Sequence, residues 1–274
     1  MIPEAQITEW RNIAPWPDDM QVEQDLILSR ILVDIFSNDF LNQELAFRGG
    51  TALHKLFISP AVRYSEDIDL VRTSSGPIKA IVDTLRDQLE PWLGKPYTRT
   101  TNRSFKLLFY FNPEVFPTMK LRIKIEINVR EPYPILDREN KQYSVDSEWF
   151  SGSASINTFH LDELIATKIR ALYQRSKGRD LFDLWLVIKD ENLDIKRVIS
   201  TFHRYMEISG NRVSKLVYQN NLMDKLNAPD FLGDINPLLS QDWLHTNTKL
   251  KGTNVSLKQM AEEVIVKVIS RLDD

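Results

Sequence analysis

"FRGGTALHKLFISPAVRYSEDIDL" occupies Phe47–Leu70 and joins two adjacent glycines to two closely spaced carboxylates. Only 9 of 274 residues are glycine. Two together mark a place where the backbone takes φ > 0 or lets another group come close. The preceding "ELAF" predicts a short strand, and "TALHKLF" predicts the helix after the turn. Thr51 stands where its hydroxyl would cap that helix. "YSEDIDLVR" predicts the next strand. Asp67 and Asp69, at i and i+2, then look to one side while Ile68 and Leu70 face the core. Such carboxylates repel unless a cation lies between them, and hard oxygen donors suit Mg²⁺, which keeps water and phosphate as its other ligands. A solvated strand edge gives the same pattern, so this pair alone decides nothing.

A later stretch sharpens it. In "LRIKIEINV", Leu121, Ile123, Ile125, Ile127 and Val129 fall on one face, and Arg122, Lys124, Glu126 and Asn128 on the other. "SFKLLFYFN" before it predicts an antiparallel partner. Should the Glu126 strand lie beside the D-x-D strand, three carboxylates would meet. Such a cluster can hold two metal ions that activate a hydroxyl and steady a leaving pyrophosphate. The alternative is the wet face of an ordinary sheet. A strand–Gly–Gly–Thr–helix unit offers backbone N–H groups to a phosphate. Neither the Walker A spacing nor the dinucleotide G-x-G-x-x-G is present.

Elsewhere, Val22, Leu26, Ile27, Ile31, Leu32 and Ile35 predict an early helix. "PIKAIVDTLRDQLEPWL" predicts an amphipathic helix stopped by Pro91 and Gly94. The small polar residues of "WFSGSASINTFH" suggest a domain junction, and the chain beyond is mostly helical. The order predicts an α+β domain over residues 1–155 and a helical domain over 156–274. In "LDELIATKIRALY", Lys168 interrupts the stripe of Leu161, Leu164, Ile165 and Leu172. Burying it requires an anion, and Asp180 and Asp183 share a stripe on the next helix. On the residues alone, Lys168 with Asp180 or Asp183 is a structural ion pair. Arg170, Arg175, Lys177 and Arg179 complete a local basic patch that suits a triphosphate or an RNA backbone, or simply a solvated helix end. Arg48 and Arg63 flank the two motifs. His54 is expected to be packed, and Trp149, Trp185 and Trp243 to lie in the core or at a junction.

Composition is the balance expected of a soluble globular protein: 42% hydrophobic, 27% charged, net charge −3 and pI ≈ 5.9. A chain coated in nucleic acid would be more basic, so any such contact must come from a local patch. No apolar run approaches the ~20 residues of a membrane helix, and no secretory pattern opens the sequence. The absence of cysteine excludes disulfides and thiolate metal sites and points to the cytoplasm.

Taken together, "FRGGTALHKLF", "RYSEDIDL", "KIEIN" and "LDELIATKIRALYQRSKGRDLFDLW" resemble the AbiEii/AbiGii toxin family, to which the MenT toxins are related, within the polymerase-β-like nucleotidyltransferase superfamily. The resemblance runs from about Phe47 to Trp185 and implies a mixed sheet with flanking helices, followed by a helical domain. It implies an Mg²⁺-dependent transfer of nucleotides from an NTP to RNA, the tRNA 3′ end in characterised relatives. It also implies a cognate antitoxin and a role in toxin–antitoxin or phage defence. Carried over by motif, Asp67, Asp69 and Glu126 bind metal, Glu126 standing where many relatives have Asp. Arg48, Gly49, Gly50, Thr51, Lys168 and Arg179 meet the triphosphate, and Asp180 and Asp183 orient Lys168 or Arg179. Nucleotidylation of a protein, or nucleotide binding without catalysis, would use the same motifs.

Overall fold

Alternation along Leu121–Val129 sets the layering of the sheet. Ile123, Ile125 and Ile127 are fully buried, Arg122 is exposed, and Lys124 and Glu126 are half-buried. Each isoleucine so buried contributes roughly 1.5–3 kcal/mol. The computed structural model describes residues 2–130, 134–189, 193–240, 243 and 256–273. The chain divides into two compact units, Met1–Phe159 and His160–Asp274.

In the first unit, helices α1 (Glu4–Trp10), α2 (Asp19–Phe36) and α3 (Asp39–Glu44) precede strand β1 (Leu45–Arg48) and helix α4 (Gly49–Leu56). Then come β2 (Asp67–Arg72), α5 (Lys79–Leu93), β3 (Tyr97–Thr100), β4 (Ser104–Phe111), β5 (Leu121–Asn128), β6 (Glu139–Asp146) and β7 (Ser151–Thr158). The strands form one mixed sheet in the order β3-β4-β5-β2-β1-β7-β6. The β2–β5 and β1–β7 pairs are parallel and the remaining pairs antiparallel. Ile68, Leu70, Leu107 and Phe109 join the β5 isoleucines on a dry face, against which α2 and α5 pack. Asp18 caps α2 by accepting the Met20 N–H at 2.8 Å, and the apolar stripe of that helix is buried as expected.

The structure refines three sequence expectations. Most of the stretch expected to be a junction is strand β7, paired with β6 along its whole length, and the division between the two units falls at the end of that stretch, after Phe159; small polar residues suit a strand whose outer face is wet. Pro91 does not stop α5, because in the last turn it costs only one backbone hydrogen bond, and the helix ends at Gly94 with φ 82°. Thr51 does not cap α4. The helix starts two residues earlier, with Arg48 as a cap that makes no side-chain hydrogen bond.

The second unit is helical: α6 (Leu161–Gln174), α7 (Gly178–Val187), α8 (Ile195–Ile208), α9 (Lys215–Lys225), α10 (Pro229–Gly233) and a final helix, Leu257–Lys267. His160 Nδ1 accepts the Asp162 N–H at 3.1 Å and starts α6, and Ser256 with Gln259 forms a capping box at the last helix. Tyr218, fully buried, donates to the Ile169 carbonyl at 2.8 Å and ties α9 to α6. Among the described residues no helix is long and apolar enough to cross a membrane.

Candidate active site on the β2–β5 face

Strand β2 lies between β1 and β5, and its register fixes the neighbours of both aspartates. Asp69 is opposite Arg48 on β1 and opposite Glu126 on β5; Asp67 is opposite Lys124. Opposed residues on adjacent strands share a face at a strand spacing of about 4.8 Å. The Glu126 strand therefore does lie beside the D-x-D strand. Between the acids stand lysines. Lys124 Nζ is 3.0 Å from Asp67 Oδ2 and 3.1 Å from Glu126 Oε2, and Lys106 Nζ is 3.0 Å from Glu126 Oε1.

These contacts divide the carboxylates. Burial pushes the Asp69 carboxyl above its ordinary range; Lys124 and Arg48 oppose this, Asp67 and Glu126 add to it, and the result is upward. Burial acts on Glu126 in the same sense, but Ser104, Lys106 and Lys124 overcome it and hold that group below its ordinary value. For Lys124, burial would lower the ammonium, yet Asp67, Asp69 and Glu126 hold it above. The charge of Asp69 is thus less compensated by this face than that of Glu126, and a further cation would stabilise it.

The glycine turn serves that aspartate. Gly49 has φ 85°, and a Cβ built on it would lie 2.5 Å from Asp69 Oδ2 and 3.1 Å from Asp69 Cβ. It thus needs both the left-handed backbone and the close approach. Gly50 and Thr51 complete the first turn of α4, where backbone N–H groups have no intrahelical acceptor. The Thr51 hydroxyl donates to the Asp67 carbonyl and lies 2.8 Å from Ser65 Oγ. It links α4 to β2.

The far end of α4 is anchored by a network that sequence reading missed. Lys55 Nζ donates to Asp25 Oδ1 at 2.7 Å and to Ser29 Oγ at 3.1 Å. Asp25 also accepts from the Trp10 and Trp16 indoles at 2.9 and 3.1 Å, and Tyr143 donates to Ser29 at 2.9 Å. The available signal was Asp25 and Ser29 one turn apart within a buried stripe. His54 is packed as expected, and buried Arg63 donates to the Tyr64 carbonyl at 2.8 Å. Trp149 stacks edge-on to Trp92, with centroids 6.0 Å apart.

The remaining candidates belong to the helical unit and form a cluster of their own. Lys168 Nζ lies 3.1 Å from Asp180 Oδ1 and 2.9 Å from Asp183 Oδ2, with both aspartates fully buried. Arg175 clamps Asp180 through Nε at 2.7 Å and Nη2 at 2.9 Å. Burial would raise the Asp180 carboxyl, but Lys168 and Arg175 bring it below its ordinary value. The ion pair expected from the sequence is therefore present, with both aspartates. Arg179 meets Asp234 through its backbone N–H at 3.2 Å and through Nε at 3.8 Å. Trp185 is buried, and Trp243 meets Phe182 edge-on at 5.4 Å.

Among the described residues no group of three or more His, Asp or Glu side chains is arranged to hold a metal ion. Glu126, expected as the third ligand, faces two ammonium groups. Magnesium needs only one or two carboxylates beside substrate phosphates and water, so the same-face oxygens of Asp67 and Asp69 suit it.

Over residues 30–254 the chain matches the family described as "Nucleotidyl transferase AbiEii toxin, Type IV TA system". No curated protein matches at a significant level. Among solved structures, MenT4, a nucleotidyltransferase toxin from Mycobacterium tuberculosis, is 16% identical, covers 100% of each chain and has a TM-score of 0.57. JHP933 from Helicobacter pylori is 15% identical, with 91% of this chain and 90% of that chain covered and a TM-score of 0.52. The chain belongs to the AbiEii nucleotidyltransferase toxin family of type IV toxin–antitoxin systems. That family implies an NTP substrate and an antitoxin partner.

Proposed function

We propose that the β2–β5 face transfers a nucleotidyl group from an NTP to a hydroxyl of RNA, the tRNA 3′ end being the acceptor the family resemblance favours. The observation that carries this reading is the placement of Asp69. Its carboxylate lies against the bare Cα of Gly49 at the start of α4, with Arg48 on one flank and Glu126 on the other. An acid and a set of phosphate-binding N–H groups thus share one spot. The acceptor oxygen bonds to the α-phosphorus as the bond to the β-phosphate oxygen breaks, and pyrophosphate leaves. The hydroxyl proton passes to a carboxylate, Glu126 in this reading, which its two lysines hold ionised. The N–H groups of Gly50 and Thr51, with Arg48, receive the triphosphate. Asp67 and Asp69 would hold Mg²⁺, which when bound offsets phosphate charge and lowers the pKa of an attacking hydroxyl. Within the helical unit, the reading gives Asp180 and Asp183 the task of holding Lys168.

The test incubates the protein with Mg²⁺, each labelled NTP in turn, total RNA and total protein. Label should enter RNA with the wild type, and Asp69→Asn should lower the rate at least ~100-fold while leaving the unfolding temperature intact. Label entering protein instead, or equal transfer by Asp69→Asn, would overturn the assignment.

A further inference from the structure

The face that carries the carboxylates continues outward past β5. Register sets one row across the sheet as Asp69, Glu126, Lys106 and Arg99, and the next as Asp67, Lys124, Leu108 and Tyr97. Beside the second row, Tyr110 stands opposite Arg122. Neither β3 nor β4 contains an acidic residue.

Two tyrosines on this surface lie outside the core. On β4, Leu107 and Phe109 face the core, whereas Tyr110 is 37% exposed and Tyr97, on the edge strand, is 67% exposed. Their rings meet edge-to-face with centroids 5.6 Å apart, and the Lys120 ammonium lies 5.3 Å from the Tyr110 ring. Arg99, Lys120 and Arg122 are exposed around them. Aromatic faces interleaved with cations are what single-stranded nucleic acid binds, because every base stacks and every phosphate seeks a positive charge.

We propose that the β5–β4–β3 face is the acceptor platform: a single-stranded RNA segment crosses it toward the carboxylates. Bases stack on Tyr97 and Tyr110 while Arg99, Arg122 and Lys120 receive phosphates. Three strand spacings, roughly 14 Å, separate Tyr97 from Asp67, a span that a few nucleotides cover. The inference rests on the reading of Asp67 and Asp69 as the transfer site. It adds a place for the acceptor and a reason for RNA over protein, since an acidic peptide would answer the cations but leave the tyrosine rings unused.

The experiment measures binding of a fluorescein-labelled 12-nucleotide single-stranded RNA to the full chain by anisotropy. Binding of each labelled NTP and transfer to total RNA are followed in parallel. Tyr97→Ala with Tyr110→Ala should weaken RNA binding by roughly 25-fold or more and leave NTP binding unchanged. Tyr97→Phe should stay within about threefold of wild type. Arg99→Gln with Arg122→Gln should reduce the slope of log K against log salt by about 1.4. Unchanged RNA affinity in the tyrosine pair overturns the platform, as does a wild type that binds no RNA. Platform-dependent RNA binding without any transfer would keep the platform and sink the transfer reading, so the two fail separately.

Discussion

Two charge clusters of similar make-up stand in very different surroundings. On the β2–β5 face, Asp67, Lys124 and Glu126 keep between 20% and 32% of their side-chain surface exposed. In the helical unit, Lys168, Asp180 and Asp183 keep 8% or less. The Coulomb attraction is stronger in the drier cluster, but so is the cost of losing a partner. A half-exposed network can exchange an ammonium for a ligand because water stands ready to solvate whatever is released. The buried one behaves as a rivet.

Asp180→Ala tests this contrast hardest. It strips a counter-ion from both Lys168 and Arg175, and should cost about 3–5 kcal/mol in urea unfolding. A loss under ~1 kcal/mol would mean that this cluster is no more committed than the other.

Glu23 shows what burial does when the opposing interactions are weak. It is 2% exposed on α2 and accepts the Glu114 N–H at 2.9 and 3.1 Å. Burial outweighs that hydrogen bond and, with the Glu114 charge, lifts the carboxyl to about 7. Between the ordinary value of 4.5 and that value the folded chain keeps a proton that the unfolded chain has lost. Stability should therefore fall as pH rises through this window, by about 3 kcal/mol in all. Glu23→Gln should flatten that part of the profile; an unchanged slope would assign it to another group.

Smaller effects are expected at the exposed cluster. Gly49→Ala should cost roughly 1–2 kcal/mol for its left-handed backbone, and displacing the Asp69 carboxylate should remove transfer activity with the fold retained. Full activity in this variant would separate the turn from the chemistry. Lys124→Met should alter unfolding free energy by no more than about 1 kcal/mol. A larger loss would show that the open cluster holds the sheet together after all.

Strands with strong alternation declared themselves in the sequence, and so did the faces of their side chains. Asp67, Asp69 and Glu126 were placed on polar rows because the period of a strand is two. Their pairing was not legible, since β2 and β5 are parallel neighbours separated by α5, β3 and β4, and period says nothing about partners. Lys124 consequently looked like one cation in a wet row until the register set it opposite Asp67. Strands β6 and β7 escaped for a different reason: serine, asparagine and glycine give little hydrophobic contrast, so only pairing reveals them. The Lys168 ion pair was legible because a lysine in an apolar helical stripe demands an anion. Asp25 made the same demand, but its partners come from α1, the segment after it, and α4, which no local window joins.

That network bears on where the functional unit begins. The family match starts at residue 30, yet Trp10, Trp16 and Asp25 all precede it, and they hold the lysine that anchors the glycine-turn helix. A chain trimmed to the matched span would strand Lys55 without its counter-ion and loosen the helix that frames Asp69. The leading segment is therefore part of the enzyme's foundation, and a boundary drawn by homology alone would cut through it.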